Sequence, residues 1–345
     1  MTRKKWLLLI LVVILALTGC ATKATTSRTV PTSNEINPSH GLQVHFIDVG
    51  QGASQLIIGP TGKTILIDAG NNDQEKVVVT YLKQQKISRL DIVIGTHPDA
   101  DHVGGLDAVI DSFEIGKVYM PKIQSNTKTF EDVLIAIKNK GLKVSTAKAG
   151  LILDWEPGIT VNMIAPVEQS KDTNEMSAVV HLTYGNVAFL FTADAEAKSE
   201  QAMLDSKVNL KSDVLMVGHH GSDSSTTQAF LDAVQPSLAV IQVGKDNKYG
   251  HPKKTILDRL RASGVTILRN DLLGSIVVTS DGNEIATGTI KLNSTSTAVL
   301  DPEPEPTVVY NSCAEVRAAG KSPLHRGDPG YSTKLDRDKD GIACE

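Results

Sequence analysis

Residues 96–105 read THPDADHVGG. His97, Asp99, Asp101 and His102 fall within six positions, and the run ends on Gly104 and Gly105. These are the side chains that divalent cations take as ligands. The apolar run RLDIVIGT at 89–96 has the length of a buried strand and leads straight into them. The ligand types therefore sit in a tight loop at a strand end. Positions 97, 99 and 101 alternate and can point to one side, while His102 reaches a second point. Such a run can feed two neighbouring metal positions. Gly104 and Gly105 let the backbone turn closely past them.

The pattern recurs. Asp194 lies in FLFTADAE, His219 and His220 in MVGHHGS, and His251 in NKYGHPKK. Each follows an apolar run or sits in a glycine-containing loop. A lone histidine would mean little, but four clusters at strand ends point to one shared site. Between them strands and helices mix throughout: helical patterns near 127–140, 195–204 and 253–263 alternate with strand-like runs near 159–165, 177–184 and 187–192. The class is α/β or layered α+β.

The 345 residues allow one large domain or two ordinary ones. The chain starts MTRKKWLLLILVVILALTGC, a basic start before an apolar run from Trp6 to Leu17, too short for a stable span. The residues before Cys20 resemble a bacterial lipobox, which makes Cys20 the expected lipidation site and places the rest outside the cytoplasm. Losing Arg3, Lys4 and Lys5 with residues 1–20 lowers the formal net charge from −4 to −7. The protein is thus no globally basic nucleic-acid binder, and an anionic substrate needs a local patch or a bound cation. Aromatics at 4% argue against many base-stacking platforms. Cys313 and Cys344 remain as an even pair in an oxidising compartment, where a disulfide is the expected state. Residues 21–40 read as a flexible tether, 41–291 as the large domain, 292–308 as a Pro/Glu linker and 309–345 as a module too short for its own core.

The motifs FIDVGQG (46–52), LIDAG (66–70), THPDADHVGG (96–105), FTAD (191–194), HHGS (219–222) and YGHP (249–252) resemble, in order, those of the metallo-β-lactamase superfamily. Within it the resemblance is to the extracellular hydrolase domain of the competence protein ComEC. It covers roughly residues 42–291. The membrane channel of that protein is not in the sequence, so the expectation is the hydrolase domain alone, tethered by lipid. The resemblance implies a four-layer αβ/βα sandwich with the site at one edge. It implies His97, Asp99, Asp101, His102, Asp194 and His219 as metal ligands, with Asp194 bridging and Asp68 supporting the ligand loop. His220 is then the supporting or catalytic neighbour of His219, and Asp101 and His251 complete the catalytic set, His251 near the leaving group. Two departures stand out. Asp99 occupies a position that is His in the wider superfamily, and the superfamily's extra His between the loop and Asp194 is not evident. The corresponding stretch is NEMSAVVHLTYG, with Asn174 or Ser177 at the corresponding place and His181 mid-strand. Oxygen-rich ligation brings Mn²⁺ and Mg²⁺ into competition with Zn²⁺, at one or two ions.

Such a site suits hydrolysis, because a coordinated cation lowers the pKa of water and offsets charge on a phosphoryl oxygen. Lys245, Lys248, Lys253 and Lys254 surround His251 and form a candidate patch for a nucleic-acid backbone. At the C-terminus, DRDKDGIACE resembles an EF-hand loop and residues 309–345 resemble the Excalibur calcium-binding domain. The resemblance implies Ca²⁺ on Asp336, Asp338, Asp340 and the Ile342 carbonyl, with Glu345 partly replacing the missing twelfth residue, and a Cys313–Cys344 bridge.

The expectation is a lipid-tethered extracellular phosphodiesterase acting on DNA, with the membrane as partner, the cell wall as a second candidate surface, and a role in DNA uptake. The rivals are a metallohydrolase of small esters, lactones or β-lactams, and a non-catalytic DNA-binding or wall-associated lipoprotein. The sequence carries no signal for an oligomeric state.

Overall fold

A computed structural model describes residues 41–290, 309–325, 328–337, 339 and 341–345. Cys20, the 21–40 tether, the 292–308 linker, Asp338 and Asp340 lie outside the described residues.

β1 (Leu42–Phe46) shows how alternation becomes layering. Leu42, Val44 and Phe46 enter one apolar core, while His45 turns to the opposite face and meets the Tyr81 hydroxyl at 2.9 Å. β2 (Gln55–Ile58), β3 (Thr64–Ile67), β4 (Arg89–Ile94), β5 (Glu114–Pro121) and β6 (Val144–Ala147) follow beside it. A second sheet is built from β7 (Leu151–Leu153), β8 (Ile159–Ala165), β9 (Val179–Tyr184), β10 (Val187–Phe191), β11 (Val214–Met216), β12 (Leu238–Ile241) and β13 (Thr266–Arg269). β14 (Ser275–Ser280) and β15 (Ile285–Ile290) return to the first sheet, giving the order β15-β14-β1-β2-β3-β4-β5-β6. The second sheet runs β13-β12-β11-β10-β9-β8-β7.

The two sheets face each other across a core that includes Phe46, Ile67, Ile94, Phe189, Phe191 and Met216. α1 (Glu75–Gln84), α2 (Ala100–Val103), α3 (Leu106–Ser112) and α4 (Lys128–Asn139) belong with the first sheet, where Tyr81, Leu106, Val109 and Val133 close a second core. α5 (Ala197–Asp205), α6 (Gln228–Val234), α7 (Lys254–Ala262) and the short α8 (Asn270–Leu273) follow, and Met203, Phe230, Ile256 and Leu260 close a third core on the second sheet. Three cores between four layers make the αβ/βα sandwich. Burying each large apolar side chain contributes about 1.5–3 kcal/mol, so these layers carry most of the stability. β3–β4 and β10–β11–β12 run parallel. The loops leaving their carboxyl ends, with the helical turns that follow them, carry the candidate site residues of this domain.

The C-terminal module has α9 (Cys313–Ala318) and a two-stranded ribbon of β16 (Leu324–His325) and β17 (Ile342–Ala343). Its buried apolar set is Val316, Leu324, Ala343 and Cys344, so covalent stapling is required. Cys313 and Cys344 are disulfide-bonded, with Cα atoms 5.1 Å apart. Asp336 is buried, and its Oδ2 accepts the Gly341 amide at 3.0 Å and the Tyr331 hydroxyl. Gly341 turns there with φ of 99°. Glu345 is exposed, and its main-chain carbonyl accepts from Arg317 at 3.1 Å.

Replacing both Cys313 and Cys344 by Ser should cost the module about 2–4 kcal/mol through loop-closure entropy. Hydrogen exchange read by mass spectrometry should then show lost protection in 309–345 with the sandwich unchanged. Unaltered protection of α9 and β17 would contradict the staple.

Candidate metal centre

The site is built outward from Asp68. It follows β3 in a left-handed conformation, φ 56°, and its amide donates to the Ile94 carbonyl at 2.9 Å. Its carboxylate accepts three protons: the Thr96 amide (2.8 Å), the Thr96 hydroxyl (2.6 Å) and Nδ1–H of His102 (2.8 Å). The Thr96 hydroxyl proton being spent on Asp68, its oxygen accepts Nδ1–H of His97 at 3.1 Å. Nδ1–H of His220 donates to the Gln242 carbonyl at 2.8 Å, and Nδ1–H of His219 to Glu196 Oε1 at 3.0 Å. Carbonyls and carboxylates only accept, so these partners fix all four tautomers and leave each Nε2 with a lone pair.

Those Nε2 atoms turn to Asp194, which follows β10 and is 3% exposed. His102 Nε2 is 3.1 Å from Asp194 Oδ1. From Asp194 Oδ2, His219 Nε2 lies at 3.5 Å, His220 Nε2 at 3.7 Å and His97 Nε2 at 4.0 Å. Asp101 Oδ2 is 3.4 Å from His220 Nε2, and Asp99 Oδ2 is 3.9 Å from His97 Nε2. Donor atoms within 4.8 Å of one another form two groups, His97–His102–Asp194 and Asp101–His102–His220. Nε2 of His97, His102 and His220 and Oδ1 of Asp194 are buried without a hydrogen-bond partner. Orphaned buried donors are costly, and convergent lone pairs on nitrogen and carboxylate oxygen fit a divalent cation.

Electrostatics tells the same story. Burial pushes the His102 imidazole down, but the Asp194 and Asp68 carboxylates override it and hold its pKa well above the ordinary value. His220 is likewise raised against its burial, by Asp194 and by its contact with Asp101. Burial pushes Asp194 up, yet His102 and His220 hold it well below the carboxylate range. Asp101, opposed by burial in the same way, is lowered by its close contact with His220 and by the His102 imidazole. His97 is lowered by burial and then by the neighbouring His102. His251 falls to about 4, first through burial and then through His219 and His220.

The structure brings His97, Asp99, Asp101, His102, Asp194, His219 and His220 together, with Asp68 behind them. The ligand run itself differs from the expected alternation. Asp99 is extended, and its carbonyl accepts the amides of His102 and Val103 at 3.1 and 3.0 Å, so 100–103 is a helical turn, α2. Asp101 and His102 therefore diverge by helical geometry. Asp99 makes no capping bond, and its carboxylate stays 44% exposed. His251 reaches the edge of the site, its ring 5.8 Å from that of His219. His181, in β9, bonds the Lys211 carbonyl at 3.2 Å and belongs to the sheet. In the stretch lacking the superfamily's extra His, Ser177 Oγ stands 3.5 Å from His97 Nδ1, and the Asn174 amide donates to Glu196 at 3.4 Å. Of the four lysines, Lys254 pairs with Asp258 at 2.5 Å and Lys253 donates to the Tyr249 carbonyl at 2.7 Å. Lys245 and Lys248 are exposed.

Thr96, Glu196 and Gln242 also belong to the site, as hydrogen-bond partners of its histidines. A glutamine inside the apolar run LAVIQVG was the available signal for Gln242, since a buried amide needs partners. Its Nε2 donates across the sandwich to the carbonyls of Ile47 and Ser54 at 3.0 and 3.1 Å, and its Oε1 accepts from Gln55.

The metallo-beta-lactamase superfamily model matches residues 47–245, and the Excalibur calcium-binding domain model matches residues 310–345. ComE operon protein 3 of Bacillus subtilis (strain 168) is 31% identical over 252 residues, covering 68% of this chain and 32% of that protein. Competence protein ComA of Neisseria gonorrhoeae is 31% identical over 245 residues, covering 70% of this chain and 33% of that protein. The chain thus spans about a third of the length of these curated relatives. The solved metallo-beta-lactamase fold protein YhfI from Bacillus subtilis is similar with a TM-score of 0.43 and 10% identity, over 66% of this chain and 95% of that one.

Cation binding should compete with protons for Nε2 of His102 and His220, whose pKa values are raised. Affinity should therefore fall as pH drops below those values, by about tenfold per unit for each proton displaced. Calorimetric titration of chelated protein in buffers of different ionisation enthalpy counts the protons. Zero protons released at neutral pH would contradict the field described here.

Proposed function

The chain belongs to the metallo-beta-lactamase superfamily and is a metal-dependent hydrolase, and from that premise we propose that it hydrolyses phosphodiester bonds in DNA outside the cell. The observation that carries this reading is the meeting of two donor groups at His102, one of them holding Asp194, beside a lysine-bearing loop. A bound divalent cation supplies water of lowered pKa and offsets charge on a phosphoryl oxygen.

In this reading His97, His102, Asp194, Asp99, Asp101 and His220 hold one or two cations, with Asp68 and the Gln242 carbonyl fixing the imidazoles. His220 takes the ligand role and His219 the proton-transfer role, exchanging the roles expected from sequence. Two facts support the exchange: His220 is buried within a donor group, whereas His219 belongs to neither and its side chain is 24% exposed. Glu196 orients His219 as a carboxylate orients a general base. His251, lowered to about 4, is neutral at neutral pH, so it meets a leaving oxygen as a hydrogen-bonding imidazole and not as an imidazolium acid. Lys245 and Lys248 draw the phosphate backbone to the open edge.

The relative named as a competence protein supports a DNA substrate and a link to DNA uptake. A Cys313–Cys344 disulfide suits an oxidising compartment. Among the described residues no helix is long and apolar enough to cross a membrane. Attachment would rest on lipidated Cys20, with 21–40 as tether, 292–308 as linker and a calcium-binding module at 309–345.

The test uses the chain lacking residues 1–20, chelated and then given Mn²⁺, Mg²⁺ or Zn²⁺, on single- and double-stranded DNA. Cleavage should need the metal and disappear in Asp101→Ala/His102→Ala. His220→Gln should lose bound metal. His219→Gln should keep it and lose about 10²–10⁴ in kcat. Turnover of small esters with every DNA left intact would sink the nuclease reading.

A further inference from the structure

Tyr249 is 48% exposed, the one aromatic among the exposed large apolar side chains of the described residues. Its surroundings do not leave it loose. Asn247 Oδ1 accepts the amides of Tyr249 and His251 at 3.2 and 3.0 Å, and Asn247 Nδ2 donates to the carbonyls of Gly244 and His251 at 2.9 and 2.6 Å. Lys253 Nζ ties down the Tyr249 carbonyl. A solvated tyrosine on a pinned backbone is preorganised for contact.

Its ring lies nearly parallel to that of His251, at 25° and 5.8 Å between centroids. His251 in turn meets His219 edge-on at 5.8 Å, and His219 Nε2 is 3.5 Å from Asp194 Oδ2. A file of rings thus leads from the donor groups out to solvent. Lys248 Nζ sits over the Tyr249 ring, 5.1 Å from its centroid, and its side chain is exposed. A base that takes the ammonium's place on the ring leaves that ammonium for the adjoining phosphate, so the pair matches one nucleotide.

Resting on the phosphodiesterase reading, we propose that Tyr249, backed by His251, is a stacking platform for an unpaired base next to the cleaved bond. The enzyme then prefers single-stranded DNA, because in a duplex interior both faces of each base are already stacked. Lys254, paired with Asp258 on α7, takes no part.

The experiment measures kcat/KM of the metal-loaded full chain and of Tyr249→Ala and Tyr249→Phe. Substrates are a single-stranded oligonucleotide, its blunt duplex, and single strands with one abasic position scanned across the cleavage point. Wild type should favour the single strand. One abasic position should lower its kcat/KM by roughly five- to a hundredfold, the worth of a stacked base. Tyr249→Ala should show that loss on the intact strand already and respond little to the abasic position, while Tyr249→Phe should keep the wild-type response. An equal abasic penalty in wild type and Tyr249→Ala, or a duplex cut as fast as the single strand, overturns the platform and leaves the nuclease standing. No cleavage of any strand by wild type overturns the nuclease, and the platform with it.

Discussion

The Asp68 carboxylate decides the arrangement of everything around it. It has no access to solvent, so its charge must be met by protein donors. Parallel pairing of Ile67 with Ile94 places the end of β3 beside the loop that leaves β4. The left-handed turn at Asp68 then aims its side chain into that loop, a conformation aspartate adopts more readily than most residues. Thr96 and His102 supply the donors. Removing the carboxylate would strip partners from three buried groups at once. Losses of that type run to about 3–5 kcal/mol, and they would free the His102 ring to turn away. Fold stability and ligand geometry are one interaction here.

A second constraint joins the two halves of the site. The Asp101 half hangs from the first sheet, where the Ala53 amide donates to the Asp101 carbonyl at 3.0 Å. The His220 half hangs from the second. Gln242 spans them: its side chain is held by the Ile47 and Ser54 carbonyls of the first sheet, and its main chain receives His220. A slip of one sheet over the other would break these bonds before it disturbed the apolar core, which tolerates small adjustments better than aimed hydrogen bonds do. Gln242 therefore sets the distance over which Asp101 and His220 face each other.

Much of this was legible in the chain because chemistry-bearing residues recur at the ends of apolar runs. THPDADHVGG, FTAD and HHGS named nearly every donor. Their supports were harder to see. Thr96 and Glu196 look like ordinary loop residues, and only tertiary contact makes them hydrogen-bond partners. The turn at 100–103 was hidden because Asp99 ends the extended backbone without a capping side chain. The roles of His219 and His220 could not be read from order alone. Both have positive φ, 47° and 54°, an uncommon state for non-glycine residues. Strand order was also hidden. β14 pairs with β1, joining Phe46 to Ile276, a contact with no local signal in the sequence.

The gradient of exposure across the donors separates a reactive centre from a structural one. His97 and His102 are fully buried, while side-chain exposure rises to 29% at Asp101 and 44% at Asp99. A structural ion is enclosed on all sides by protein ligands, whereas a catalytic one keeps a position open. The buried imidazoles anchor, and the exposed carboxylates border the side a substrate can approach. The opposite holds in the C-terminal module, where Asp336 is 1% exposed and a disulfide lies close by in sequence. One chain thus uses carboxylates in two ways: in the sandwich Asp99 and Asp101 frame an opening, and in the small module Asp336 closes a turn that its few apolar residues could not hold.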